Sequence, residues 1–116
     1  MRRLKTIMAA LGLIGSSVAA EAHAMLDHTS PAVGSTISTP PGQVTLYFTE
    51  QLEPKFSGAE VRKGAGNRVD RGVSVSGKVM RVSVGSLAAG TYTVTWHVLS
   101  VDTHKTQGSF SFTVGK

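Results

Sequence analysis

The sequence has no cysteine among its 116 residues, which excludes disulfide bonds, thiolate metal sites and cysteine nucleophiles. Any metal that this chain holds must therefore be bound through nitrogen, oxygen or thioether groups. A small exported domain often uses disulfides, so this one has to rely on its hydrophobic core for stability.

Long hydrophobic runs are also missing. The most apolar segment, Thr6–Ala20, is interrupted by glycines and serines and is shorter than the ~20 residues of a membrane-spanning helix. It follows a short basic start and precedes Ala20-Glu21-Ala22, which has the small-x-small pattern of a signal-peptidase site. We therefore predict a cleaved signal peptide over residues 1–22 and an exported mature domain over residues 23–116.

The exact cleavage position decides whether a histidine begins the mature chain. Cleavage after Ala22 leaves His23 at the new terminus. Cleavage after Ala20 or Ala24 is the alternative, since small residues surround the site, and the second of these would remove His23 altogether.

Basic residues outnumber acidic ones by 12 to 7 in the whole chain, but only by 9 to 6 after residues 1–22 are removed. Most of the remaining Lys and Arg are scattered between residues 55 and 81, where Phe56 is the single aromatic residue, so basic and aromatic residues do not alternate. A nucleic-acid partner is therefore not expected, and these charges are interpreted as a solvated face.

Short alternating segments bounded by Gly, Pro, Ser or Asn follow the leader and indicate β-strands. The strongest is Thr91–Ser100, in which Tyr92, Val94, Trp96 and Val98 share one face. About seven strands without a convincing helix predict an all-β fold, either an antiparallel sandwich or a small Greek-key barrel. The other strands are predicted at 23–29, 43–49, 58–63, 69–76, 78–84 and 108–114.

Asp102 and His104 form an Asp-x-His motif in the connection between the last two predicted strands. At this spacing in an extended backbone both side chains point the same way, so one ion could touch both. A terminal His23 would add its α-amine and its ring Nδ1 nitrogen. Three nitrogens and one carboxylate oxygen make a planar set that suits Cu(II), with tetrahedral Zn(II) as the competitor.

Each of these residues also has a plain interpretation. Asp102 could bond its own backbone in an Asx-turn, and His104 could be an ordinary polar loop residue. Glu50 ends the predicted strand 43–49, where it is a candidate hydrogen-bond partner of a ligand, an axial oxygen, or a solvated strand end. Of the remaining histidines, His97 is expected at the surface, and His28 is expected to be structural or to face solvent.

Together these residues resemble the CopC family of periplasmic copper-binding proteins. The matching motifs are His23 behind the leader, Ser30–Ser35, Phe48-Thr49-Glu50, Gly90–Trp96, Asp102-Thr103-His104 and Gly108–Val114. The resemblance implies a seven-stranded Greek-key β-barrel with an Ig-like sandwich core. It also implies a Cu(II) site formed by His23, Asp102 and His104, with Glu50 close by.

The resemblance further implies a periplasmic monomer for copper buffering, transport or resistance, with a CopD-type inner-membrane protein as partner. Two departures from the family pattern stand out. Residues 55–79 contain no Met and no His, so the Met-rich Cu(I) site of some members is missing and a Cu(II)-only protein is expected. Lys105 stands where many relatives carry proline, with little effect expected on the ligands.

Two other functions stay open on the sequence. A histidine-brace copper oxidase would need open copper positions and a flat aromatic face, whereas this chain has one Trp and two Tyr. We therefore expect a protein without enzymatic activity. A metal-free Ig-like interaction module would follow if His23 were removed or buried.

Overall fold

The structure is a computed structural model of the chain and describes residues 24–116. The predicted leader and His23 lie outside the described residues. Eight strands are formed: β1 Leu26–Ser30, β2 Thr36–Ile37, β3 Gln43–Phe48, β4 Gly58–Lys63, β5 Asp70–Ser76, β6 Val79–Val84, β7 Gly90–Leu99 and β8 Lys105–Val114. One short 3₁₀ turn, Pro54–Phe56, lies between β3 and β4.

The strands form two four-stranded sheets, in the orders β1-β3-β6-β5 and β2-β8-β7-β4. The predicted all-β sandwich is therefore confirmed. The strand beyond the expected seven is β2, whose two residues pair in parallel with the end of β8 and are too few to give a periodic pattern. No helix within residues 24–116 is long and apolar enough to cross a membrane.

The hydrophobic core lies between the two sheets. The face predicted for β7 is confirmed, because Tyr92, Val94, Trp96 and Val98 are all buried. Phe48 of the opposite sheet meets Trp96 edge to face, with ring centroids 5.1 Å apart. Such aromatic pairs add to the stability that area burial provides, so this contact helps to hold the sheets together.

β8 is three residues longer at its start than the sequence predicted. Leu99 of β7 pairs with Lys105, and the ladder then continues without interruption to Gly90 and Val114. Gly108 is required inside this ladder because its partner Trp96 covers the space above it. A Cβ atom at Gly108 would lie 2.8 Å from the Trp96 ring.

Asp70, the first residue of β5, links the two sheets at their edge. Its Oδ1 atom accepts a hydrogen bond from the Val61 main-chain N–H of β4 at 2.9 Å. The Arg68 guanidinium donates to both Asp70 oxygens, at 3.1 and 2.7 Å. The Arg68 hydrogen bond is the main reason that the pKa of Asp70 is lowered, and the Val61 bond acts in the same direction.

Candidate metal centre

The Asp-x-His motif lies in the tight hairpin between β7 and β8. The Ser100 N–H donates to the His104 carbonyl at 2.9 Å, and the Thr103 N–H donates to the Ser100 carbonyl at 2.8 Å. Thr103 has a φ of 74°. This is the pattern of a three-residue hairpin loop, whose last residue takes the left-handed conformation. The expectation of an extended backbone was wrong, because the chain reverses direction within this motif.

The turn nevertheless brings the two predicted ligand side chains together. The Nδ1 atom of His104 lies 3.4 Å from Oδ1 of Asp102. The side chains are 46% and 48% exposed respectively, so an ion from solvent can reach both. Asp102 and His104 therefore form one accessible pair of metal-binding groups.

Hydrogen bonds keep the Asp102 carboxyl group ionised. The Ser100 hydroxyl donates to Asp102 Oδ1 and is the main cause of the lowered pKa of this group. The His104 side chain and main-chain N–H act in the same direction. The main-chain contribution agrees with the Asx-turn interpretation, which is compatible with a ligand role. An ionised carboxylate is also the form that binds a metal.

The segment that contains Glu50 lies between the start of the sandwich and the hairpin. Met25 and Thr49 exchange two hydrogen bonds, from Met25 N–H to Thr49 Oγ1 and from Thr49 N–H to the Met25 carbonyl, each 2.9 Å long. On the other side, the Val101 N–H donates to the Gln51 carbonyl at 3.0 Å. Glu50 is half-buried. Its neighbour Thr49 is bonded to the segment before β1, and its neighbour Gln51 is bonded to the Asp-x-His hairpin.

Ala24, the first described residue, is attached to the same end of the sandwich. It is fully buried, and its carbonyl accepts a 2.8 Å hydrogen bond from the Thr106 hydroxyl. Thr106 lies on β8, two positions after His104. The chain therefore enters β1 beside the strand that begins directly after the Asp-x-His hairpin.

Among residues 24–116, no group of three or more His, Cys, Asp or Glu side chains could hold a metal ion. The structure brings Asp102 and His104 together as a pair, while His23 lies outside the described residues.

His97 is exposed, as the sequence predicted, and His28 is exposed as well, which agrees with the second of its two predicted alternatives. A β-bulge in β1 explains why His28 contacts its neighbour, with Nδ1 2.8 Å from Asp27 Oδ2. The His28 ring also stacks on Tyr47, with centroids 4.2 Å apart. His97 borders a surface groove that is also lined by Phe56.

Sequence reasoning overlooked Ser100. It is fully buried, although it is polar, and its hydroxyl contacts both residues of the candidate pair. The available signal was a hydroxyl residue two positions before an Asp in the predicted connection between two strands. Such residues often bond locally, so the pattern marks Ser100 for inspection without revealing its burial.

This chain is similar to proteins of one family. The CopC domain family matches residues 26–115. Protein YobA of Escherichia coli K12 is 38% identical over 98 residues, covering 80% of this chain and 79% of YobA. Copper resistance protein C of Xanthomonas campestris pv. juglandis is 35% identical, covering 97% of this chain and 96% of that protein. The crystal structure of CopC from Methylosinus trichosporium OB3b gives a TM-score of 0.75 at 29% identity, covering 80% and 94% of the two chains.

Proposed function

Because this chain belongs to the CopC family, we propose that it is an exported Cu(II)-binding protein for copper buffering, transport or resistance. It holds one Cu(II) through His23, Asp102 and His104. The observation that carries the proposal is the close, accessible pair of Asp102 and His104, whose facing atoms are 3.4 Å apart. The relative named copper resistance protein C supports the choice of copper.

The position of Ala24 supports the choice of His23 as the additional ligand. Ala24 directly follows His23 in the chain and is bonded to Thr106, two positions after His104. A mature terminus at His23 supplies an amine and an imidazole nitrogen. With the His104 ring and an Asp102 oxygen these make an N₃O set, which favours Cu(II).

The methionines of the described chain favour Cu(II) over Cu(I) as the cargo. Met80 is fully buried in the core, and Met25 is 46% exposed at the surface. These two thioethers are separated by the packing of the sandwich, while soft ligands in a cluster are what Cu(I) prefers. Glu50 is assigned as a hydrogen-bond partner or axial oxygen of the same Cu(II) site.

The remaining features of the proposal concern the location, the cargo and the partner of the protein. Residues 1–22 direct export and are removed, and the mature monomer works in the periplasm. Copper is the cargo, so no catalytic residue is assigned and the protein is not an enzyme. A CopD-type inner-membrane protein is the proposed partner.

The test combines intact mass with Cu(II) electron paramagnetic resonance on protein purified from the periplasm. We expect a mass equal to residues 23–116 and an axial signal coupled to about three nitrogens at one copper per chain. His104→Ala should raise the Kd for Cu(II) by orders of magnitude, while the surface control His97→Ala should leave it unchanged. A mature start at Met25, or copper binding that is unaltered in His104→Ala, would refute the proposal.

His23→Ala separates the metal-binding hypothesis from a metal-free interaction module. It removes the imidazole but keeps the fold described for residues 24–116, so copper affinity should fall by orders of magnitude while the melting temperature is kept. His28→Ala is the matched control, because its exposed ring is held by Asp27 and Tyr47. Equal copper affinities of the two variants would favour the metal-free module.

A further inference from the structure

Ser100 combines full burial with contacts to both residues of the candidate pair. Its relative exposure is 0%, whereas the Asp102 and His104 side chains are about half exposed. It is also held from the side of the β3–β4 connection, where Leu52 forms a β-bridge with it. Ser100 is therefore a buried residue, bonded to the neighbouring segment of the chain, at the base of the exposed hairpin.

The single proton of the Ser100 hydroxyl has one favoured acceptor. The hydroxyl lies against Asp102 Oδ1 and is 3.3 Å from the His104 carbonyl oxygen. That carbonyl already accepts the Ser100 main-chain N–H at 2.9 Å. Because an ionised carboxylate is the stronger acceptor, the proton is donated to Asp102.

A lone pair of the same hydroxyl then faces the other ligand residue. The His104 main-chain N–H donates to Ser100 Oγ at 3.3 Å. A serine hydroxyl has one donor and two acceptor sites, so both contacts can be made at once. A carboxylate has about four lone-pair sites, which leaves Asp102 with acceptor capacity for a metal.

From this geometry we infer that Ser100 is a positioning residue of the metal centre, which holds the Asp102 carboxylate in place beside His104 for metal binding. The inference rests on the proposed Cu(II) function. An exposed carboxylate without such a partner samples several rotamers, and ordering it on binding costs free energy. Hydrogen bonds to a ligating group typically change metal affinity by about 10- to 100-fold.

A purely structural role for Ser100 makes a different prediction. The two hydrogen bonds that close the turn use main-chain atoms of Ser100, so Ser100→Ala keeps both of them. What the substitution removes is the hydroxyl between Asp102 and His104. If the hydroxyl acts on Asp102, its loss should change copper affinity only while the Asp102 carboxylate is present.

The test is a double-mutant cycle on the mature protein purified after export, with Cu(II) affinity measured by competition with a chelator. Ser100→Ala should raise the Kd about 10- to 100-fold in the wild-type background and leave it unchanged in the Asp102→Ala background. Ser100→Thr, which keeps the hydroxyl, should restore the affinity. Thr29→Val is the matched control, since it removes another buried hydroxyl bond, to the Pro31 carbonyl, and should not affect copper.

The outcomes separate this inference from the proposed function. Unchanged affinity in Ser100→Ala, or an equal loss in both backgrounds, overturns the positioning role while Asp102→Ala still weakens binding. No effect of Asp102→Ala itself overturns both. Should Ser100→Ala fail to fold, a crystal structure of the copper-loaded wild type decides. An Asp102 oxygen on copper, with the Ser100 hydroxyl still hydrogen-bonded to that carboxylate, supports the inference, and a hydroxyl turned away from the ligating carboxylate contradicts it.

Discussion

The hydroxyl of Thr106 donates a 2.8 Å hydrogen bond to the carbonyl of Ala24, 82 positions earlier in the chain. This contact joins the first described residue to the strand that leaves the Asp-x-His hairpin. It connects the residue after His23 to the strand that directly follows the other candidate ligands, Asp102 and His104. The consequence is that metal binding should depend on a residue that is not itself a ligand.

Replacing Thr106 by Val should therefore weaken copper binding. The substitution keeps the β-branched shape but removes the donor to Ala24, so Ala24 loses its hydrogen bond to β8 while the Met25–Thr49 bonds remain. We expect the Kd for Cu(II) to rise about 10-fold and stability to fall by about 1 kcal/mol, measured by copper titration and thermal melting. The control is Thr113→Val. Thr113 lies on β8, as Thr106 does, and its substitution removes a hydroxyl contact with Thr91 of β7. An equal effect of both variants on the Kd would contradict this explanation.

Thr103 is the one non-glycine residue with positive φ between residues 24 and 116. The left-handed conformation costs a residue with a Cβ atom roughly 1–2 kcal/mol, while glycine loses about 0.5–1 kcal/mol in chain entropy. Thr103→Gly should thus stabilise the protein by about 0.5–1 kcal/mol and leave copper affinity unchanged. Calorimetry should show a melting temperature raised by a few degrees, about 4–8 °C per kcal/mol for a domain of this size.

Thr95→Gly provides the comparison for Thr103→Gly. Thr95 is exposed in the middle of β7, in extended backbone, so glycine there should lower the melting temperature. A lower melting temperature for Thr103→Gly as well would show that the left-handed loop position carries no recoverable strain.

Gly108→Ala should destabilise the core. The new methyl group would lie 2.8 Å from the Trp96 ring and force the ring or the strand to shift. Overpacking of this kind costs about 1–3 kcal/mol, and Trp96 fluorescence should report the displacement. Gly42→Ala is the control, because nothing lies within 4 Å of its added methyl group. Similar unfolding curves for both variants would exclude a close Gly108–Trp96 contact.

Stability at acid pH should depend on Asp70. Its pKa is lowered in the folded protein, first through the Arg68 hydrogen bond, so the folded state holds this proton less tightly than the unfolded state does. The resulting stability is present above the ordinary aspartate pKa of about 3.9 and is lost as the pH falls through the lower folded-state value. Asp70→Asn should be less stable than wild type at pH 7, and the difference should shrink below about pH 4.

Chemical denaturation of wild type and Asp70→Asn across this pH range measures the effect. Asp27→Asn, which removes an exposed carboxylate that contacts His28, serves as the control for the loss of one acidic side chain. If the difference in unfolding free energy between Asp70→Asn and wild type stayed constant with pH, the ionised form of Asp70 would not be the source of the stability.

The strand pattern was largely predictable because alternation is a local property of the chain. Val94 and Trp96 share a face for the same reason wherever β7 lies in the fold, and Gly58–Lys63 was predicted with its observed bounds. The two-residue strand β2 escaped prediction because pairing with β8, rather than its own composition, makes it a strand. The chain reversal at Thr103 was missed because a β-branched residue rarely adopts positive φ.

By itself the sequence determined the all-β class, the inward faces of the strands and the identity of the candidate ligands, since these depend on residue types and short spacings. The assignment of His23, Asp102 and His104 as metal ligands stays a prediction. Only the tertiary structure decided that Ala24 bonds to Thr106 and that the buried Ser100 hydroxyl lies between Asp102 and His104. Such contacts depend on strand order, register and the exact turn, which are set by packing the two sheets together rather than by any one segment.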